Sequence, residues 1–360
     1  MTKPGVEKLD AFGQELDALR DAAMADLGQR DANHIRGVIR IQRYAEIGGR
    51  ALLLFGFSLL AWPLGVALLA LSKILNNMEV GHNVMHGQYD WMNDPELHSQ
   101  SHDWDNICDP DSWRKTHNFE HHSFTNIIGK DRDFGYGAYR LQHDMPWEPR
   151  HRYQIPFYIL MALLFQWGLG LHDLEAERIR AGEITRESKQ AVWRTFLQRA
   201  KSHMLKDYLL WPLLAMPLLG VKGFLAVMLG NFLANTIRNV WASAVIFCGH
   251  FTDNVQTFQP EECENESRGQ WYYRQILGSS NFRGGRWMHI MTGHLSYQIE
   301  HHLFPDIPAH RYAELGPKVE AICARYGVAY NTGRLGAQYV SVLKRLARYS
   351  VEPGREEQLV

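Results

Sequence analysis

The chain has 360 residues, 46% of them hydrophobic, and a formal net charge of −1. That balance offers no basic surface for a nucleic acid and excludes one as a partner. The cysteines, Cys108, Cys248, Cys263 and Cys323, stand far apart with no Cys-x-x-Cys; this excludes a local zinc or iron–sulfur motif and a disulfide framework, and fits a reducing, cytoplasm-facing site.

Residues 1–40 are polar and hold no apolar core of the signal-peptide kind. Within them Val6, Leu9, Phe12, Leu16 and Leu19 recur at helical spacing. That predicts an amphipathic helix, lying on a membrane or packed on the rest of the chain. Apolar runs follow at 51–61, 64–71, 155–171, 208–221 and 223–248. A membrane span needs about 20 apolar residues, so several of these are short alone. We expect a hairpin of two spans, about 44–61 and 64–80, turning at Trp62-Pro63, in preference to a single span over 51–71 kinked by the proline. The hairpin lets Asn76 and Asn77 reach the interface.

Three histidine clusters stand out: His82-Asn83-Val84-Met85-His86, His117-Asn118-Phe119-Glu120-His121-His122 and Gln298-Ile299-Glu300-His301-His302. With 18 histidines in 360 residues, a lone His-x-x-x-His arises about once by chance. His98-Ser99-Gln100-Ser101-His102 is taken as that accident. His-x-x-x-His-His is expected roughly 0.05 times, so finding it between two further clusters is informative.

Side-of-membrane parity then constrains the topology. Residues 87–116 hold no apolar run, so the first two clusters share a side, and an even number of spans must precede the third. Segments 208–221 going out and 223–248 returning satisfy this and deliver His250 to the same side. Residues 155–171 then form an interfacial helix. Arg36, Arg40, Arg43 and Arg50 before the first span, and Lys201 and Lys206 before the third, place that side in the cytoplasm. Asn231, Asn235, Arg238 and Asn239 make a polar stripe in the last span, facing protein or a cavity. Two polar-faced helices, 317–326 and 335–349, end the chain around Gly327 and Gly333.

Residues four apart on an α-helix share a face. His82 and His86, His117 and His121, and Gln298 and His302 therefore point together, with His122 and His301 turned toward a second ion. Neutral imidazole suits iron, zinc and copper. Together the clusters offer more imidazoles than one ion uses, which indicates a two-metal centre. Beside long apolar runs, that indicates oxidative chemistry on lipid. Breaking an unactivated C–H bond needs a redox-active metal and dioxygen, whereas zinc would imply hydrolysis. Asp90, Asp94, Asp131 and Asp133 flank the clusters as candidate acceptors for the ligands' outer nitrogens. Glu120 and Glu300 have the wrong helical phase to be ligands.

Over residues 40–315 the chain resembles the membrane-bound fatty acid desaturases of the histidine-box di-iron class. The resemblance is carried by Gly81-His82-Asn83-Val84-Met85-His86-Gly87, by the second cluster, and by Gln298-Ile299-Glu300-His301-His302-Leu303-Phe304-Pro305. Trp91-Met92-Asn93-Asp94-Pro95, Lys130-Asp131-Arg132-Asp133 and Cys248-Gly249-His250-Phe251 support it. The glutamine opening the third box is similar to front-end acyl desaturases and certain bacterial acyl-CoA desaturases.

The resemblance implies an all-α integral membrane protein with four transmembrane helices, interfacial helices and a cytoplasmic helical cap holding two Fe(2+). Its divisions would be an amphipathic segment 1–40, a membrane domain 41–315 and C-terminal cytoplasmic helices with a tail, 316–360. The ligands it implies are His82, His86, His117, His121, His122, His301 and His302, with His250 following the last span. Gln298 stands where other relatives carry histidine and is expected at the site, with His294 one turn earlier as a substitute. Ile246 stands where some relatives have asparagine. The implied reaction is O2-dependent insertion of a cis double bond into an acyl substrate, as acyl-CoA at carbon nine or as a membrane lipid. No His-Pro-Gly-Gly haem motif occurs. Electrons would come from a separate ferredoxin, flavin- and iron–sulfur-bearing reductase or cytochrome b5. Alkane or lipid hydroxylation is the alternative within this chemistry; a zinc-dependent membrane hydrolase or a non-catalytic lipid-binding protein are alternatives outside it.

Overall fold

The computed structural model describes residues 5–354, which are mostly helical. Helix α1, Val6–Ala25, carries Leu9, Phe12 and Leu16 on one buried face. That face joins Tyr272, Ile299, Phe304, Tyr312 and Val319 in one core, so α1 packs on the rest of the chain. Gly13 and Gly269 let the two backbones touch there. A β-carbon on Gly269 would lie 1.8 Å from the Leu9 carbonyl oxygen, a distance no side chain tolerates.

The next helix, α2, spans Gln29–Leu53 and so crosses residue 40 without a break. Its first turn is secured by Asp31, whose carboxylate accepts from the Gly28 N–H at 2.9 Å. Helix α3, Ala61–Leu75, returns antiparallel against it. The connection lies at residues 54–60, earlier than the expected turn at Trp62-Pro63. Gly56 supplies a positive φ of 68° in that connection. Pro63 instead sits in the first turn of α3, where its missing N–H costs nothing. The α2–α3 contact is close because glycines face each other: a β-carbon on Gly49 would meet Leu69 N at 2.8 Å and Gly65 O at 3.0 Å.

Among the described residues, one helical run, Glu187–His250, is long and apolar enough to cross a membrane; Pro149–Leu163 and Phe165–His172 pass only as a pair bent by 101°. The expectation of four separate spans therefore exceeds what length and composition identify. The long run also folds on itself. Asn231 Nδ2 lies 2.6 Å from Asp207 O, and Asn235 Nδ2 3.0 Å from Asp207 Oδ2. Twenty-four residues of straight helix would separate such atoms by about 36 Å. The reversal is at Gly220, with φ 59° and ψ −148°, values closed to other residues. This hairpin packs on α3, and both hairpins leave their tips apolar and exposed, with Leu59, Leu60, Leu218 and Val221 all outward.

The polar stripe faces protein: Asn231, Asn235, Arg238 and Asn239 are buried. Toward the C-terminus, Tyr312–Tyr326 ends at Gly327, in the left-handed region at φ 71°, and Leu335–Arg348 follows. An all-α reading needs one correction. Strands β1, Asn281–Arg283, and β2, Thr332–Arg334, pair in parallel. Three residues are too few to show the alternation that marks a strand.

Candidate metal centre

The first two histidine clusters sit on widened helical turns. Helix α3 continues into a π-helical turn, Asn76–His82, and a second, Arg114–His121, carries most of the second cluster. Bonding from i to i+5 re-aims the side chains that follow it. The third cluster lies on a short helix, Gln298–Leu303, beside β1, where Asn281 Oδ1 accepts from the Ile299 N–H.

These segments converge. Ring centroids of His82 and His301 are 4.9 Å apart, those of His86 and His122 4.7 Å, and those of His121 and His250 4.7 Å. His122 stacks on His302 at 4.3 Å. Two donor groups emerge: His82, His86, His117 and His301, and separately His121, His250 and His302. Gln298 joins the second group, its amide 2.9 Å from His250 Nε2. His117 and His121 thus fall in different groups although an ideal α-helix would aim them together. The π turn under them separates their aim while keeping the rings stacked at 5.0 Å.

The donor atoms fit a metal centre. His86 Nε2, His117 Nε2, both nitrogens of His122 and of His301, and Gln298 Oε1 are buried without a hydrogen-bond partner. Each such orphan costs about 1–3 kcal/mol unless something occupies it, and a bound cation would satisfy several of them at once. Burial, added to by neighbouring imidazoles, holds His86, His122, His301 and His302 well below the usual imidazole range, and burial with His117 pushes His82 down to about 3. Neutral imidazole is the form that binds a metal. His121 goes the other way: burial pushes it down, but Asp131 and Asp133 together raise it above the usual imidazole range.

The outer nitrogens are anchored. His117 Nδ1 faces Asp133 Oδ2 at 2.9 Å, His121 Nδ1 faces Asp131 Oδ2 at 2.9 Å, and His302 Nδ1 faces Gln275 Oε1 at 3.0 Å and Thr125 Oγ1 at 3.1 Å. Such partners fix ring orientation and raise ligand basicity. Of the four aspartates singled out in sequence, Asp131 and Asp133 take this role. Asp90 instead accepts from Ser99, and Asp94 caps the Glu96 N–H. Thr125, Gln275 and Asn83, whose Oδ1 is 3.1 Å from His82 Nδ1, were not foreseen. His98 and His102 stay outside, and so does His294, whose Nδ1 turns to Glu79 at 2.9 Å. Glu300 is held away by Asn281 and Tyr330. The Asp133→Asn variant weakens the His117 anchor and should lower iron affinity about 10–100-fold. Iron retained per chain during a chelator challenge measures it, and wild-type retention would show the anchor to be idle.

An apolar cavity ends on this centre. Met78, Phe165, Leu169, Ile246 and Leu295 share it with His82, His117, His121, His250 and Gln298. Tyr136, Phe165, Leu169 and His172 continue into an adjoining cavity that passes Phe157 and Met161 and reaches Arg150 and Arg180.

Histidine clusters gathered from separate helices around two donor groups, at the end of an apolar cavity, define the histidine-box class, with side chains able to hold metal. The profile of the family described as "Fatty acid desaturase" matches residues 57–334. The chain belongs to the fatty acid desaturase family and is an oxidoreductase. It is 42% identical over 351 residues, 98% of its length and 81% of the relative's, to the NADPH-dependent stearoyl-CoA 9-desaturase of Mycobacterium tuberculosis. It is 24% identical to human fatty acid desaturase 3 over 249 residues, 66% of this chain and 49% of that one. To the mouse fatty acid desaturase 2-like protein it is 25% identical over 234 residues, 61% of this chain and 42% of the relative.

Proposed function

We propose that this chain inserts a cis double bond at carbon nine of a long-chain acyl-CoA, using O2 and two electrons. The observation that carries this is the apolar cavity ending on the histidine cluster. The mycobacterial relative, named for stearoyl-CoA and position nine, supports the substrate and the position. Its NADPH dependence favours a separate reductase as electron donor. In the balanced reaction, dioxygen, two electrons, two protons and the two hydrogens leaving the chain become two waters.

His82, His86, His117 and His301 would hold one ferrous ion and His121, His250, His302 and Gln298 the other, with His122 between them, its ring centroid 4.7 Å from that of His86 and 4.3 Å from that of His302. Two ferrous ions so held would supply the dioxygen reduction that no side chain can perform. Every other contribution is positional. The apolar walls formed by Met78, Phe165, Leu169 and Leu295 exclude water and hold one pair of methylenes beside the centre, and on a uniform chain only position selects the carbon. Arg150 and Arg180, where the adjoining cavity opens, suit the coenzyme A phosphates.

The reading includes a bilayer. α2 with α3, and the hairpin reversing at Gly220, would make four spans; Gln154–Leu163 and Phe165–His172 would lie at the interface. The exposed apolar tips support this, since they would meet lipid. Residues 41–315 would then be the membrane domain, between the segment 1–40 and cytoplasmic helices from 316 on, with the metal centre on the cytoplasmic face.

Expression in a host of defined lipid profile, with a reductase, tests the function by mass spectrometry of the acyl chains. A new cis alkene at carbon nine is expected. An alcohol at that carbon would replace desaturation with hydroxylation, and an unchanged profile from iron-loaded protein would overturn both.

A further inference from the structure

A second group of potential metal ligands lies outside the nine residues of the centre. Glu79 is fully buried in the widened turn that continues α3. His34 of α2 places Nε2 2.7 Å from Glu79 Oε1, and His294 places Nδ1 2.9 Å from Oε2. The donor atoms of all three lie within 4.8 Å of one another. A carboxylate without water needs a positive partner. Among the described residues, the ion-pair partners of Glu79 are these two imidazoles. The nearby Arg311 is already committed to Asp26 and Asp31. His310 closes the group from the other side, stacked on His34 at 4.2 Å and facing Asp31 at 3.0 Å.

The backbone is arranged around the same point. His294 sits in the left-handed region at φ 57°, a conformation that persists in a non-glycine residue only where its surroundings over-determine it. Gly293 makes room for the approach: a β-carbon there would meet Met78 O at 2.5 Å. Asn83 separates the two sites, donating Nδ2 to Glu79 O at 3.1 Å while Oδ1 faces His82.

We propose that His34, Glu79 and His294 form a third, mononuclear site for a zinc-class divalent cation. Two imidazoles and one carboxylate are a donor set that zinc accepts with room for water. Bound there, the ion ties α2 to the turn leading into the third histidine cluster and neutralises the buried carboxylate. Zinc has no redox chemistry, so its role is to hold the segments in place.

The test uses the full chain in detergent, loaded with iron, incubated with zinc chloride alone and passed through a desalting column. We expect one zinc per chain with the iron content unchanged, and a rise in the thermal midpoint. His34→Gln, at the partly exposed edge of the group, and the isosteric Glu79→Gln should each lose the zinc and the thermal shift while keeping their iron. Zinc taken up only in exchange for iron, no zinc at all, or equal uptake by wild type and His34→Gln would overturn the proposal. Neither readout depends on desaturase activity.

Discussion

Replacing His302 with alanine should reduce alkene product by more than about 100-fold and strip iron from the protein while leaving its helices intact. His302 is fully buried at the meeting point of both donor groups. Its Nε2 lies 3.1 Å from His250 Nε2, its ring stacks on His122, and its Nδ1 is anchored by Gln275 and Thr125. Loss of an anchoring partner alone typically costs 10–100-fold in metal affinity or activity, so loss of the imidazole itself should exceed that. The fold tolerates the change because the core around Gln298–Leu303 is built by Ile299 and Leu303, not by His302. Mass spectrometry of acyl products, metal analysis and far-UV circular dichroism check the three parts together. Product within tenfold of wild type would remove His302 from the ligand set.

How far the sequence announced this centre depended on what each residue is. Histidines beside apolar runs are conspicuous, and the eight candidates of the clusters, together with His250 at the end of the last apolar run, meet in space. Their partition was not legible. It follows from π turns under His82 and His117, and nothing in the residue types marks a turn as i→i+5 instead of i→i+4. The anchoring residues were legible only where charge and proximity drew attention, as with Asp131 and Asp133. Gln275 and Thr125 are common polar residues, and Gln275 reaches His302 from 27 positions away. His294 sits one turn before Gln298, a ligand position if the helix ran on unbroken. Its left-handed backbone breaks that helical phase. The hairpin at 208–248 was readable from the apolar runs, and its reversal needed only Gly220. The first hairpin was harder, because Pro63 looks like a turn residue and is equally at home in a helix's first turn.

Converting Asp207 to alanine should destabilise the helical bundle by about 3–5 kcal/mol, the usual cost of orphaning one partner of a buried ion pair. Asp207 is buried between the two hairpins. It accepts from Lys73 Nζ at 2.9 Å and from Asn235 Nδ2 at 3.0 Å, and lies 3.7 Å from Arg50. Without it, among the described residues Lys73 keeps Asp105 at 3.6 Å as its ion-pair partner. Arg50 is better provided, with Glu46 at 2.9 Å and the Trp211 ring 4.2 Å away. The penalty therefore falls mainly on Lys73. This yields a second expectation: adding Lys73→Met to an Asp207→Leu variant should recover at least half of the loss, because apolar side chains of similar size replace a buried pair at little net cost. Denaturant unfolding in detergent micelles measures both. A double variant as unstable as Asp207→Ala would show that the charge pair, and not the filled volume, joins α3 to the second hairpin.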